Sequence, residues 1–138
     1  MKDLGTKFWA VLLLATMSIV GFAQTPADNP VGRWLAESIR GGGVIDRVQT
    51  ILEVGADAAI SGTGGCNAMR GSATISGNTI VFGSIASTRM ACSPAVMNQE
   101  TKFFSALQDA QSWRIDAVRR KLMLLDGNRN PVVVFTRM

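Results

Sequence analysis

The stretch GTGGCNAMRG, residues 62–71, sets Cys66 among four glycines and places Asn67 directly after it. A cysteine in such a setting can be a nucleophile or a metal ligand, and a glycine-rich loop can cradle a phosphate. Each chemistry makes further demands. A nucleophilic thiol needs a lowered pKa and normally a neighbouring base, yet the chain contains no histidine and no tyrosine. Beyond residue 23 the only lysines are Lys102 and Lys121. A zinc site needs about four nitrogen, sulfur or oxygen ligands, and two cysteines 26 positions apart without histidine do not supply them. The phosphate motifs also fail: the third glycine of the dinucleotide fingerprint is missing, and no Gly-Lys-Ser/Thr follows. We therefore expect no enzymatic activity, no metal and no cofactor. A thiol-based enzyme is the weakest of the readings considered.

The beginning of the chain has the layout of a secretory leader. Lys2 and Lys7 precede an apolar run from Phe8 to Val20, and Gly21-Phe22-Ala23 offers small residues at the positions a signal peptidase reads. The run is shorter than the roughly 20 residues that span a bilayer. The alternative is an uncleaved anchor, which would be the only route to a membrane. No cysteine precedes Cys66, so a lipid-accepting site is not expected. The expected location is the periplasm or the exterior. Two cysteines in an exported chain favour a Cys66–Cys92 disulfide, with two buried free thiols as the alternative.

Removing residues 1–23 from 138 leaves 115, the size of one domain, and lowers the formal net charge from +4 to +3. Basic residues are spread along the chain, and the one cluster, Arg119-Arg120-Lys121, lies between two strand-like runs. It reads as a solvated turn, so no nucleic-acid partner is expected.

The elements that must position Cys66 are mostly short strands. Residues 24–32 form a flexible lead to a domain at 33–138. Alternating or β-rich runs occur at 33–39, 48–54, 58–62, 71–76, 79–85, 112–117, 121–126 and 131–137. Gly77-Asn78 marks a hairpin. One segment departs from the period of two: Val96, Glu100, Phe103, Phe104 and Leu107 share a helical face, with Ser93 placed to cap its start and Pro94 at the first turn. The expected fold is α+β, a curved and mainly antiparallel sheet forming an open or cracked β-barrel, with one main helix packed against its open side. Trp34, Trp113, Ile75, Phe82 and Phe103 are expected to fill its interior.

Within this frame the chain resembles the META-domain family, which includes the HslJ-like heat-shock proteins of the bacterial envelope. The resemblance rests on GCNAMRG at 65–71, STRMAC at 87–92 and Glu100 ahead of Phe103, Phe104 and Leu107. Trp34, LMLLD at 122–126 and VVVF at 132–135 also fit. Ala73 stands where many members carry an aromatic residue, and the lipid-accepting cysteine of many HslJ-like proteins is missing. The resemblance implies heat shock, novobiocin resistance and, in some members, motility or virulence, without an established catalytic activity. It also implies a fold similar to secretin pilot proteins.

The motif residues have structural and binding readings side by side. Asn67 is expected to bond the local backbone, with ligand binding as the alternative. Arg89 is expected to pair with Glu100 across the sheet–helix junction. The alternative has Arg89 and Arg70 holding an anion or a partner's carboxylate. Thr88 and Met90 are expected to serve packing or surface. Two functions follow from this: an exported stress-response protein that binds a protein or envelope component, or a barrel that holds a small hydrophobic ligand or drug.

Overall fold

The computed structural model describes residues 28–138, together with Ser18 and Gly21. The remainder of the expected leader, and residues 24–27 of the expected lead, lie outside the described residues. The chain is already fixed at Pro30, which is buried, and whose carbonyl accepts the Trp34 indole N–H at 2.8 Å. The ordered domain thus begins ahead of residue 33.

Ten strands and one helix follow in order: β1 (Gly32–Ile39), β2 (Gly42–Gly43), β3 (Ile51–Val54), β4 (Ala59–Thr63), β5 (Ala68–Ser76), β6 (Thr79–Phe82), β7 (Ala86–Ser87), α1 (Pro94–Asp109), β8 (Ser112–Asp116), β9 (Lys121–Leu125) and β10 (Pro131–Arg137). All described pairings are antiparallel, and the sheet runs β10-β9-β8-β6-β5-β4-β3-β1-β2. A further pairing of β10 with β1 bends it into a ring. Irregularities in β1 between Ala36 and Ser38, and in β10 between Pro131 and Val133, supply local bends of the kind that let a sheet curl. The ring is thinnest between β6 and β8, where Thr79 and Ser112 are the one paired position. It is a cracked ring and not a clean barrel.

The sequence determines these elements locally. Gly77 adopts φ +55 between β5 and β6, where the hairpin reverses. Pro94 opens α1, consistent with its fixed φ and missing N–H. Ser93 occupies the cap position, but its side chain makes no capping hydrogen bond. Its carbonyl accepts Met97 N–H instead, which corrects the expected side-chain cap.

The buried face of α1 carries Gln99, Glu100, Phe103, Ala106 and Leu107, and the helix packs on β10, β1 and β6. Phe103 meets Phe135 of β10 edge to face, with ring centroids 6.2 Å apart. Trp34, Leu52, Met69, Ile80, Leu122, Leu124 and Phe135 complete the filling of the ring, all essentially inaccessible. Phe82 is also buried, whereas Ile75 and Trp113 are half-buried at the margin of this core. Arg137 stacks over the Trp34 ring at 4.7 Å, closing the end where the chain enters. No helix among the described residues is long and apolar enough to cross a membrane.

Candidate functional site

Three separate pieces of chain meet at the entrance to α1: the loop from β4 to β5, the extended segment after β7, and the first turns of the helix. Cys66 and Cys92 are joined by a disulfide that links the first two pieces. Glu100, one and a half turns into α1, reaches the same loop. Glu100 is 3% exposed and Asn67 2% exposed, so each polar atom there needs a partner.

The partners are all present. Glu100 Oε2 accepts the backbone N–H of Cys66 at 3.0 Å and of Asn67 at 2.6 Å, while Oε1 accepts the Asn67 side-chain amide at 2.6 Å. Asn67 Nδ2 also donates to the Met90 carbonyl at 3.2 Å. Its Oδ1 accepts the Thr88 hydroxyl at 2.9 Å and Met90 N–H at 2.7 Å. Both donors and both acceptor positions of the asparagine are therefore used. Thr88 Oγ1 in turn accepts Ala68 N–H at 3.2 Å.

A second branch anchors the same loop. Thr50 donates its hydroxyl to the Gly64 carbonyl at 2.8 Å and accepts Gln99 Nε2 at 3.0 Å. Gln99 Oε1 accepts Ile45 N–H at 2.8 Å. Gly64 is required by contact: a Cβ there would overlap Cγ of Glu100. Among the described residues no buried side-chain polar atom lacks a partner. The cluster is a saturated clasp, without an open valence aimed at a ligand.

The expected pair of Arg89 with Glu100 is not formed. Arg89 is exposed, and neither it nor Arg70 makes an ion pair among the described residues. Peptide N–H groups and the Asn67 amide satisfy Glu100 at shorter range, which removes the need for a buried guanidinium. Asn67 also differs from expectation, since its amide reaches chain 23 and 33 residues away and not the neighbouring backbone. Thr88 is a member of the clasp and not mere packing. Thr50, Gln99 and Gly64 carried no signal in the sequence, because their roles exist only once α1 lies over the loop.

Other titratable groups are tied to turns or surface pairs. Asp116 Oδ1 caps Arg119 N–H, Asp126 Oδ1 accepts Asn128 and Asn130 N–H, and Asp109 pairs with Arg40 at 2.6 Å. Arg120 sits in the turn before β9, and Lys121 pairs with Glu37 at 2.7 Å. No group of three or more potential metal-ligating side chains occurs among the described residues.

The sequence profile of the META domain matches residues 28–138, which include the whole clasp. This chain belongs to the META-domain family. Among curated proteins none matches it in sequence. Three solved structures share the META-like fold. A protein from Burkholderia xenovorans, determined by NMR, is 20% identical with a TM-score of 0.62, covering 86% of this chain and 96% of its own. Another NMR structure is 22% identical at a TM-score of 0.58, over 77% of this chain and 88% of its own. A DUF4847 family protein from Bacteroides vulgatus is 16% identical at 0.51, over 76% and 91%. At these identities the likeness is one of fold. In this META domain the motif GCN…STRMAC…E writes out one hydrogen-bonded and disulfide-linked clasp.

Proposed function

We propose that this META-domain protein is an exported, non-enzymatic envelope protein of the HslJ-like type, acting in the stress response by binding a protein or another envelope component. The observation that carries this reading is the saturation of the motif: Asn67, Thr88 and Glu100 use their hydrogen-bonding groups on one another and on backbone. A side chain committed in this way is a poor acid, base or ligand. The thiols are bonded to each other, which counts against a thiol nucleophile, and the disulfide is compatible with an exported location. The leader-like residues 1–23 point the same way.

A small hydrophobic ligand inside the ring has less support, because large side chains already occupy that interior. The test is cell fractionation followed by cross-linking of the tagged protein, with and without heat stress. The proposal expects the protein in the envelope or exported fraction, with a cross-linked component enriched under stress. A cytoplasmic protein with reduced cysteines, or an exported one that cross-links to nothing in either condition, would contradict it.

A further inference from the structure

The segment after β6 is an open sheet edge. β7 pairs with β5 and, among the described residues, with no other strand. Ala86 lies opposite Arg70, Ser87 opposite Met69, and Thr88 N–H donates to the Ala68 carbonyl at 3.0 Å. Two residues further, Met90 N–H and C=O bond to the Asn67 side-chain amide at 2.7 and 3.2 Å. That amide therefore acts as one more rung of the β5 ladder. Residues 86, 88 and 90 face inward, so in an extended chain the peptide groups of 85, 87, 89 and 91 face outward. Outside the β5–β7 ladder, no backbone hydrogen bond to Ser87 or Arg89 occurs among the described residues.

The protection of this edge is partial: regular strand is limited to the two residues of β7, Arg89 adds a charge, and one extra residue enters ahead of Ala86 relative to β5. It contains no proline, and residues 86–91 are all exposed, Met90 at 57%. It is also held in place, by Asn67 and by the disulfide at Cys92. Fixing an extended strand in advance lowers the ordering cost of pairing with it.

We infer that Ile85–Ala91 is a docking edge, which accepts an extended acidic segment of another protein by strand addition. The acidic character follows from charge. Arg70 and Arg89 flank the edge on opposite faces, since Arg70 shares the face of Ala86 and an extended chain puts Arg89 on that of Ser87. Neither has a carboxylate partner among the described residues. Arg70 stands on the face opposite to that of buried Met69, next to a hollow of about 240 Å³ walled mainly by apolar atoms of small residues including Ala68 and Ala86. The small side chain of Ala86, between Arg70 and an incoming strand, leaves the guanidinium room to reach it. A second copy of the chain suits the edge poorly, since it would set Arg89 near Arg89 in a protein of formal net charge +4.

The inference rests on the binding reading above but is tested separately. The probe is an N-acetylated heptapeptide of sequence Glu-Glu-Thr-Glu-Glu-Thr-Glu, which carries Glu on both faces of a strand, titrated into 15N-labelled protein, with the Lys-for-Glu peptide as control. The expected result is amide shifts confined to residues 85–91 and adjoining β5, weaker at high salt, with new exchange protection at Ser87 and Arg89. Ser87→Pro removes one outward N–H, which proline lacks, and should weaken binding at least tenfold with the thermal midpoint kept. The double variant Arg70→Ala/Arg89→Ala leaves the backbone intact and should weaken binding to a similar degree, so the charge argument stands or falls even if the proline variant does not fold. Equal binding of the lysine peptide, shifts elsewhere, no binding, or self-association through residues 85–91 would overturn the inference. If the wild type and Ser87→Pro cross-link equally to an envelope component, the edge is excluded and the binding reading stands. If the peptide seats on the edge of a protein that cross-links to nothing in cells, the edge stands and the binding reading is excluded.

Discussion

Glu100 Oε1 accepts the Asn67 side-chain amide at 2.6 Å, joining the first turns of α1 to a loop 33 residues earlier in the chain. This bond ties the helix to the loop, and the other groups of Asn67 tie that loop to the segment after β7. Packing of α1 and placement of the 85–91 edge therefore share one polar hinge point.

Glu100→Gln tests the charge complementarity of the clasp. The glutamine presents an NH2 to at least one of three donors, whichever way it turns. Losing one charge-assisted bond and leaving a buried donor unpaired should destabilise the fold by about 2–4 kcal/mol. Chemical denaturation of the variant against the wild type gives the number; a loss below about 0.5 kcal/mol would mean that Glu100 is not satisfied as described.

Gly64→Ala tests the close approach of loop and helix. Its methyl group would overlap the Glu100 side chain, which is fixed at its far end by Cys66 and Asn67. Overpacking of this kind costs roughly 1–3 kcal/mol. Pairing it with Glu100→Ala should recover part of the loss, and strictly additive effects would count against direct contact.

Arg89→Ala should leave stability within about 0.5 kcal/mol of the wild type, as for an exposed side chain without a partner. A loss of several kcal/mol in thermal or urea unfolding would restore the buried Arg89–Glu100 pair.

Reduction of the Cys66–Cys92 disulfide should cost about 3–4 kcal/mol in the chain-entropy treatment for a loop of this size. The clasp remains after reduction, so the midpoint of unfolding should fall while the fold persists at low temperature. Tryptophan fluorescence with and without reductant measures both, and an unchanged midpoint would show that the clasp alone fixes the loop.

Local pattern made most of the fold legible. Alternation located the long strands to within a few residues, Gly77-Asn78 gave the hairpin, and the spacing from Val96 to Leu107 gave α1 and the Glu100, Phe103 and Leu107 part of its inward face. Val96 and Phe104 are only half-buried, and Gln99 and Ala106 complete the face. Two strands of only two residues, β2 and β7, leave no periodic trace. The disulfide was legible from two cysteines in a chain read as exported. The partner of Glu100 was not, because Arg89 and Asn67 are both polar motif residues and nothing in spacing says which one reaches the helix. Three-dimensional approach decided it: the loop offers two N–H groups and an amide at once, and a lone arginine cannot match that geometry from an exposed strand. The second role of Asn67, as a rung of the sheet, depends on a side chain imitating a peptide group. Residue type permits this but does not announce it.

The most direct measurement is amide hydrogen exchange, residue by residue, along Ile85–Ala91. The account predicts an alternating record, with Thr88 and Met90 protected by their inward bonds while Ser87 and Arg89 between them exchange freely. In Asn67→Ala the protection of Met90 should vanish. Uniform exchange across the four residues in the wild type, or protection at Met90 that survives Asn67→Ala, would contradict the clasp and the edge it holds.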